Sequence, residues 1–296
     1  MSSITRGAAA LVLLMLGTGA VTAAEPFWPP IADPPTERRD PGRWVWAELV
    51  TPDVGLAAEF YGKVFGWTFE TYGPKDDRKT YTQVSADGVP IGGMIFRLDD
   101  QKTPGRDARW VGLMSVSDVD AAASAVTKGG GKTLFAPRTL GSRGRAALFT
   151  DPEGAAFGVI DSATGDPDDT TGADNRWLWI ELWADDPAKM AAFYQPIGGY
   201  DIATGAAGGE ETGVRLVSAG APRAGIMRKE AKVPSTWVPY VRVASVADTV
   251  ERAREAGGSV VRMPMEAHGT VVAMLLDPTG APFAVAEWNA GNEVAK

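Results

Sequence analysis

The sequence predicts an α+β protein of two tandem domains, each built from two strand–helix–strand–strand–strand (βαβββ) modules. Three observations carry this. The 296 residues suit about two domains of roughly 150 residues each. One set of motifs occurs twice in the same order: Trp44-Val-Trp46-Ala-Glu48-Leu49 returns as Trp177-Leu-Trp179-Ile-Glu181-Leu182, Phe60-Tyr61 as Phe193-Tyr194, Trp110-Val111 as Trp237-Val238, and Asp151-Pro-Glu-Gly-Ala155 as Asp277-Pro-Thr-Gly-Ala281. The period, roughly 130 residues, is too long for a solenoid unit and fits a duplicated domain. Within each copy, strand-like alternation gives way to helix-like spacing and back again.

Taken in order, residues 1–24 read as a secretory signal. Arg6 supplies the positive end, Ala8 to Leu16 the apolar stretch, and Thr22-Ala23-Ala24 the small residues before a cleavage at Glu25. The apolar run is short for a membrane span, and a retained anchor is the alternative. A secreted or periplasmic location follows as an expectation. Residues 25–42 are proline-rich and lack apolar periodicity, which predicts an extended leader. The first domain is expected over 43–161, a polar linker over 162–175, and the second domain over 176–290.

Large side chains alternate from Trp44 to Val50, the pattern of a strand. Asp53 can cap a helix whose stripe is Leu56, Phe60 and Val64 beside Ala57, Tyr61 and Phe65, with Gly66 at its end. Strands are expected at Tyr81–Ser85 and Pro90–Arg97. The second module opens with a strand at Val111–Val116. Asp118 caps a helix from Val119 to Lys128, which stops at Gly129-Gly130-Gly131. Strands at Thr133–Ala136, Arg145–Thr150 and Ala156–Ile160 complete it. In the second half Asp186 caps and Pro187 opens a helix that buries Met190, Phe193, Tyr194 and Ile197.

Composition excludes several functions. There is no cysteine, so disulfides, lipidated cysteines, thiol nucleophiles and thiolate metal sites are ruled out. The formal charge of −8 disfavours nucleic acid and anionic membranes as partners. A single histidine, His268, leaves no multi-histidine metal site and little room for a serine triad. Gly129-Gly-Gly-Lys132-Thr133 lacks the leading glycine of a phosphate loop and follows a helix. Asp166, Asp168, Asp169 and Asp174 lack calcium-loop spacing and read as a solvated acidic linker.

Glu48-Leu-x-Thr51-x-Asp53 with Ala58-Glu-Phe-Tyr61 and Val64-Phe-Gly-Trp67, followed by Asp151-Pro-x-Gly154 and Asp277-Pro-x-Gly280, resembles the vicinal oxygen chelate superfamily of glyoxalases, bleomycin-resistance proteins and extradiol dioxygenases. The resemblance covers nearly all of residues 43–290. It implies that each half folds its two βαβββ modules into a curved mixed sheet around a cup. The family's enzymes hold a divalent metal with four His or Glu side chains facing the cup. The matching positions fall at Trp46 and Trp179 on the opening strands, near Gly112 and Pro239 on the strands that open the second modules, and at Gly158 and Ala284 on the final strands. Those residues supply no metal-binding side chains. No cofactor is therefore expected, with a divalent metal on unusual ligands as the alternative.

Glu48 and Glu181 are the candidate catalytic or ligand-binding carboxylates, since each shares a strand face with Trp46 or Trp179. Their other reading is a structural carboxylate paired with an arginine. Trp46, Trp110, Trp179, Trp237 and Tyr240 are candidate walls of a ligand site, or else core or domain-contact residues. His268 is a possible proton carrier or a solvated turn residue. Glu287 could join Glu48 in an oxygen-ligand metal site. Three functional readings follow: metal-free binding of a small molecule in one or both cups, a metal-dependent lyase, isomerase or dioxygenase, and a protein-interaction module with exposed tryptophans. A monomer is plausible because two domains in one chain can pair with each other.

Overall fold

The computed structural model of the protein describes residues 28–73, 80–97, 108–169, 172–204, 213–267 and 269–288. The expected signal segment at 1–24 and His268 lie outside the described residues. The first domain runs β1 (Trp44–Thr51), α1 (Val54–Phe65), β2 (Thr68–Tyr72), β3 (Tyr81–Ala86), β4 (Val89–Phe96), β5 (Arg109–Ser115), α2 (Val119–Lys128), β6 (Lys132–Thr139), β7 (Gly144–Thr150) and β8 (Ala156–Ser162). The second runs β9 (Trp177–Ala184), α3 (Pro187–Gly198), β10 (Asp201–Thr204), β11 (Gly213–Ser218), β12 (Ala221–Arg228), β13 (Thr236–Arg242), α4 (Val246–Glu255), β14 (Ser259–Ala267), β15 (Thr270–Leu276) and β16 (Pro282–Ala286). Each domain is one eight-stranded mixed sheet, ordered β2-β3-β4-β1-β5-β8-β7-β6 and β10-β11-β12-β9-β13-β16-β15-β14. The fourfold βαβββ reading is thus the observed one.

Local signals placed the helices well. Asp53 accepts from the Leu56 amide at 2.9 Å, and Gly66 closes α1 in the left-handed conformation at φ 72°. Leu56, expected on the buried stripe, is 41% exposed. It lies in the first turn, and the buried face of α1 is Ala57, Phe60, Tyr61, Val64 and Phe65. Strands β2 and β10 escaped the sequence reading. Thr68-Phe-Glu-Thr-Tyr72 forms a sheet edge that is largely open to solvent, so burial writes no clear alternation into it.

A register shift between Trp44 and Trp46 in the pairing of β1 with β5 sends these two indoles to opposite faces of the sheet. Trp46 and Glu48 face the cup. Trp44 faces the other domain, 4.5 Å from Trp237. The second domain repeats the device between Tyr240 and Val241, which face Trp179 and Trp177. Trp177 in turn lies 5.0 Å from Trp110.

The two largest cores each join one module from each domain. One packs Leu49, Phe60, Tyr61 and Trp110 against Val250, Phe283 and Val285, and the other packs Val126, Phe149 and Phe157 against Met190, Tyr194 and Trp237. Apolar faces of helices and sheets must be covered, and here the covering partner is the other domain.

The acidic linker is not simply solvated, which corrects its expectation, and the leader packs along it. The two run beside each other, with the Thr36 amide donating to the Thr164 carbonyl at 2.8 Å and the Asp166 amide to the Arg38 carbonyl at 3.1 Å. Asp166 is fully buried. Its Oδ2 accepts from the Asp40 amide at 2.7 Å and from Ser115 Oγ at 2.8 Å. Those two bonds replace the solvation of Oδ2, whereas Oδ1 is buried without a hydrogen-bond partner.

Candidate functional site

Strand β1 delivers Trp46 and Glu48 into the first cup, β3 delivers Tyr81, and the turn before β7 delivers Arg143. Glu48 Oε1 accepts from Trp46 Nε1 at 2.9 Å and from the Tyr81 hydroxyl at 3.1 Å, and it is ion-paired with Arg143 Nη1. Both partners of the pair are buried. Burial pushes the Glu48 carboxyl up, opposed by the charge of Arg143. Burial works against the Arg143 charge, but Tyr81 and Glu48 hold its pKa above the ordinary value. The guanidinium also lies over three rings, 4.5 Å from Tyr81, 5.2 Å from Trp28 and 5.3 Å from Trp46. Gly93 makes room for this cluster, because a Cβ there would lie 1.9 Å from the Tyr81 hydroxyl oxygen and 2.6 Å from Glu48 Oε2.

The leader fills this cup. Trp28 packs on Tyr81 at 5.1 Å. Ile31 is buried with Trp46, Leu113, Leu140, Ala146 and Ile160. Arg143 Nε donates to the Pro29 carbonyl at 3.0 Å, and Ser142 Oγ to the Trp28 carbonyl at 3.0 Å.

The second cup has the same carboxylate in a different setting. Glu181 Oε2 accepts from Trp183 Nε1 at 3.0 Å and from the Tyr240 hydroxyl at 2.9 Å. Its other oxygen, Oε1, accepts no hydrogen bond from the described residues, and Glu181 forms no salt bridge among them. Burial, followed by the Glu181 charge, pushes the Tyr240 hydroxyl well up. Trp179, Trp183 and Tyr240 are only half-buried, whereas Trp46 and Tyr81 in the first cup are buried. Above Gly225 the site narrows: a Cβ there would lie 3.2 Å from Glu181 Oε1 and 3.3 Å from Trp179 Nε1. On the rim, Arg262 lies 5.9 Å from the Trp183 ring and is ion-paired with Glu230.

A separate cavity of about 580 Å³ opens where the two opening strands meet under the leader. Trp44, Trp46, Trp110, Trp177 and Trp179 line it, with Asp33, Arg43 and Arg223 among its polar groups.

Strand register corrects two of the matched metal positions. Trp46 stands opposite Leu113, and Leu113 opposite Gly158. Trp179 stands opposite Tyr240, and Tyr240 opposite Ala284. Leu113 and Tyr240 therefore face the cups where Gly112 and Pro239 were expected, since adjacent strand residues point to opposite faces. A Cβ at Gly112 would strike Trp44 at 2.7 Å and Ile180 at 2.8 Å, so that position belongs to the domain contact. The register positions in the first cup offer an indole, an isobutyl group and a glycine, which do not fit a divalent cation. Those in the second cup offer an indole, a phenol and a methyl group. Among the described residues no group of three or more His, Cys, Asp or Glu side chains converges. Glu287 does not join Glu48: its Oε1 accepts from the Val246 amide at 2.7 Å, at the start of α4.

Trp110 and Trp237 are corrected as cup walls. They are 2% and 1% exposed and pack on the helix side of their sheets. Trp110 pairs with Leu49 rather than Glu48, which puts it on the opposite face, and it reaches a ligand-sized space only at the interdomain cavity. Their burial also removes the exposed tryptophan face that an interaction module needed. Arg143, Tyr81 and Trp28 were missed because their meeting depends on long-range folding. Trp183 was legible, since it continues the alternation Trp179-x-Glu181-x-Trp183.

Residues 43–159 match the model of the Glyoxalase/Bleomycin resistance protein/Dioxygenase superfamily, and residues 178–286 match that of the glyoxalase-like domain. The chain belongs to this superfamily as a two-domain member. It is similar to the anthracycline biosynthesis protein DauV of Streptomyces sp. (strain C5), at 31% identity over 258 residues, covering 83% of this chain and 94% of that protein. In fold it is similar to the Mn(II)-bound glyoxalase from Novosphingobium aromaticivorans, with TM-score 0.58 and 19% identity over 84% of this chain and 83% of that one. It is also similar to homoprotocatechuate 2,3-dioxygenase from B. fuscum, with TM-score 0.59 and 15% identity over 88% and 75% of the two chains.

Proposed function

We propose that this protein is exported and binds a small molecule, without a metal, in the cup of its second domain. The observation that carries the reading is the difference between the cups. The first is filled by the chain's own leader and its carboxylate is matched by Arg143. In the second, the carboxylate has no ion pair among the described residues and stands between half-buried aromatic walls; one oxygen without a hydrogen-bond partner is common to both cups, Glu48 Oε2 and Glu181 Oε1. A few convergent polar groups in an apolar recess are the usual make-up of a ligand site. The residues at the family's metal positions favour binding over metal-assisted chemistry, and the likeness to DauV, an anthracycline biosynthesis protein, favours a flat, ring-bearing ligand.

The test is calorimetric titration of residues 25–296 with ring compounds, on the parent protein and on Trp183→Ala and Arg223→Ala variants. Loss of affinity in Trp183→Ala alone supports the second cup. Loss in Arg223→Ala alone moves the ligand to the interdomain cavity, the second location that a volume of about 580 Å³ favours. Metal analysis of the same preparation finding one tightly held divalent ion per chain would sink the metal-free reading. Recovery of a chain beginning at Glu25 from the extracytoplasmic fraction tests export.

A further inference from the structure

We propose that the second cup takes a small organic cation, a protonated amine carried on a flat ring body. This rests on the second cup being the binding site. The first cup supplies the precedent within the same molecule. There the strand carboxylate Glu48 holds an organic cation, the Arg143 guanidinium, and the rings of Trp28, Trp46 and Tyr81 surround that cation at 4.5–5.3 Å.

The second cup keeps the anion and the aromatic surfaces, and among the described residues no cation is ion-paired with Glu181. Glu181 occupies the place of Glu48, since each lies opposite a glycine of the neighbouring parallel strand, Gly225 and Gly93. Trp179 occupies the place of Trp46. The hairpin that carries Arg143 spans Leu140–Arg143 between β6 and β7, whereas β14 ends at Ala267 and β15 begins at Thr270. Counting back from the shared Asp-Pro-x-Gly turn, the place of Arg143 falls at Gly269. Tyr81 pairs with Ile95 and Gly213 with Met227, equivalent partners two residues beyond those glycines, so Gly213 stands where Tyr81 would. Both side chains that crowd the carboxylate of the first cup are therefore glycine in the second.

The result is an anion with a vacant acceptor oxygen, Trp179 Nε1 beside it over Gly225, and Trp183 and Tyr240 holding its other oxygen. A carboxylate in partly desolvated surroundings is matched best by a charged donor, and aromatic faces add attraction for a cation. Neither nearby arginine fills this role: Arg262 lies on the rim with Glu230, and Arg215, across Gly225 on the same sheet face, forms no ion pair with Glu181.

The experiment titrates the mature chain at neutral pH with three probes that share one ring system: 2-naphthylmethylamine, 2-naphthalenemethanol and 2-naphthoate. The amine should bind about tenfold or more tightly than the other two. Glu181→Gln should erase that preference, so that amine and alcohol bind alike. Equal affinity for amine and alcohol, or tighter binding of 2-naphthoate, overturns the cation assignment and leaves the binding site standing. Absence of binding by all three overturns the second-cup reading, and this one with it. The comparison of probes on the unsubstituted protein stands whether or not the variant folds.

Discussion

The Tyr61 hydroxyl of the first domain donates to Asp277 Oδ2 of the second at 3.1 Å, and the relationship is reciprocated by Tyr194 and Asp151, also at 3.1 Å. Each tyrosine oxygen in turn accepts an indole N–H from its own domain, Trp110 at 2.7 Å and Trp237 at 2.9 Å. The repeated Phe-Tyr and Asp-Pro-x-Gly motifs are thus the two sides of one domain contact, used twice.

Because these pairs and the two large cores draw on both domains, the halves should unfold together. Calorimetry of residues 25–296 is expected to give one cooperative transition, and a fragment ending at residue 161 should not fold stably alone. Tyr61→Phe leaves the buried Asp277 oxygen and the Trp110 N–H without their partner, at a cost of about 1–3 kcal/mol by chemical denaturation.

Asp151 gives the contact a pH dependence. Burial pushes its carboxyl up to about 6, partly offset by the amides of Ala155 and Glu153 and by the Tyr194 hydroxyl. An acid whose folded pKa lies above its unfolded value of about 4 holds its proton more tightly when folded. Its contribution favours the fold below about pH 4 and is lost as pH rises through about 6. The effect is on the order of 2–3 kcal/mol. Asp151→Asn should flatten the stability profile across that interval, and an unchanged slope in urea midpoints would contradict the assignment.

The Glu48–Arg143 pair should resist single substitution more than double. Arg143→Met leaves a buried carboxylate without its counter-ion and should cost about 3–5 kcal/mol. Combining it with Glu48→Gln should recover much of that loss, which a double-mutant cycle measures directly.

The leader is a structural part of the first cup. Trp28→Ala removes the ring that packs on Tyr81 and Arg143 and should lower stability by about 1–3 kcal/mol, less than a fully enclosed tryptophan would cost because Trp28 is only partly buried. The opened cup should then bind a hydrophobic dye that the parent protein leaves free.

The sequence by itself determined the duplication, the four modules and the starts of α1, α2 and α3. These rest on local physics: Asp53, Asp118 and Asp186 cap because a carboxylate reaches its own first-turn amides, and alternation at Trp44–Val50 records a sheet with two unlike faces. It also placed Glu48 and Glu181 beside cup-facing tryptophans. Tertiary structure alone decided that Trp110 and Trp237 face the other domain, because a one-residue register shift moves a side chain across the sheet and leaves no mark in composition. Only the fold brought Arg143 to Glu48 across 95 positions of chain and laid the leader into the first cup. The difference between the cups is likewise tertiary. The same glutamate is ion-paired with a distant arginine in one and has no ion pair among the described residues in the other, because an ion pair depends on what the folded chain brings within a few ångströms.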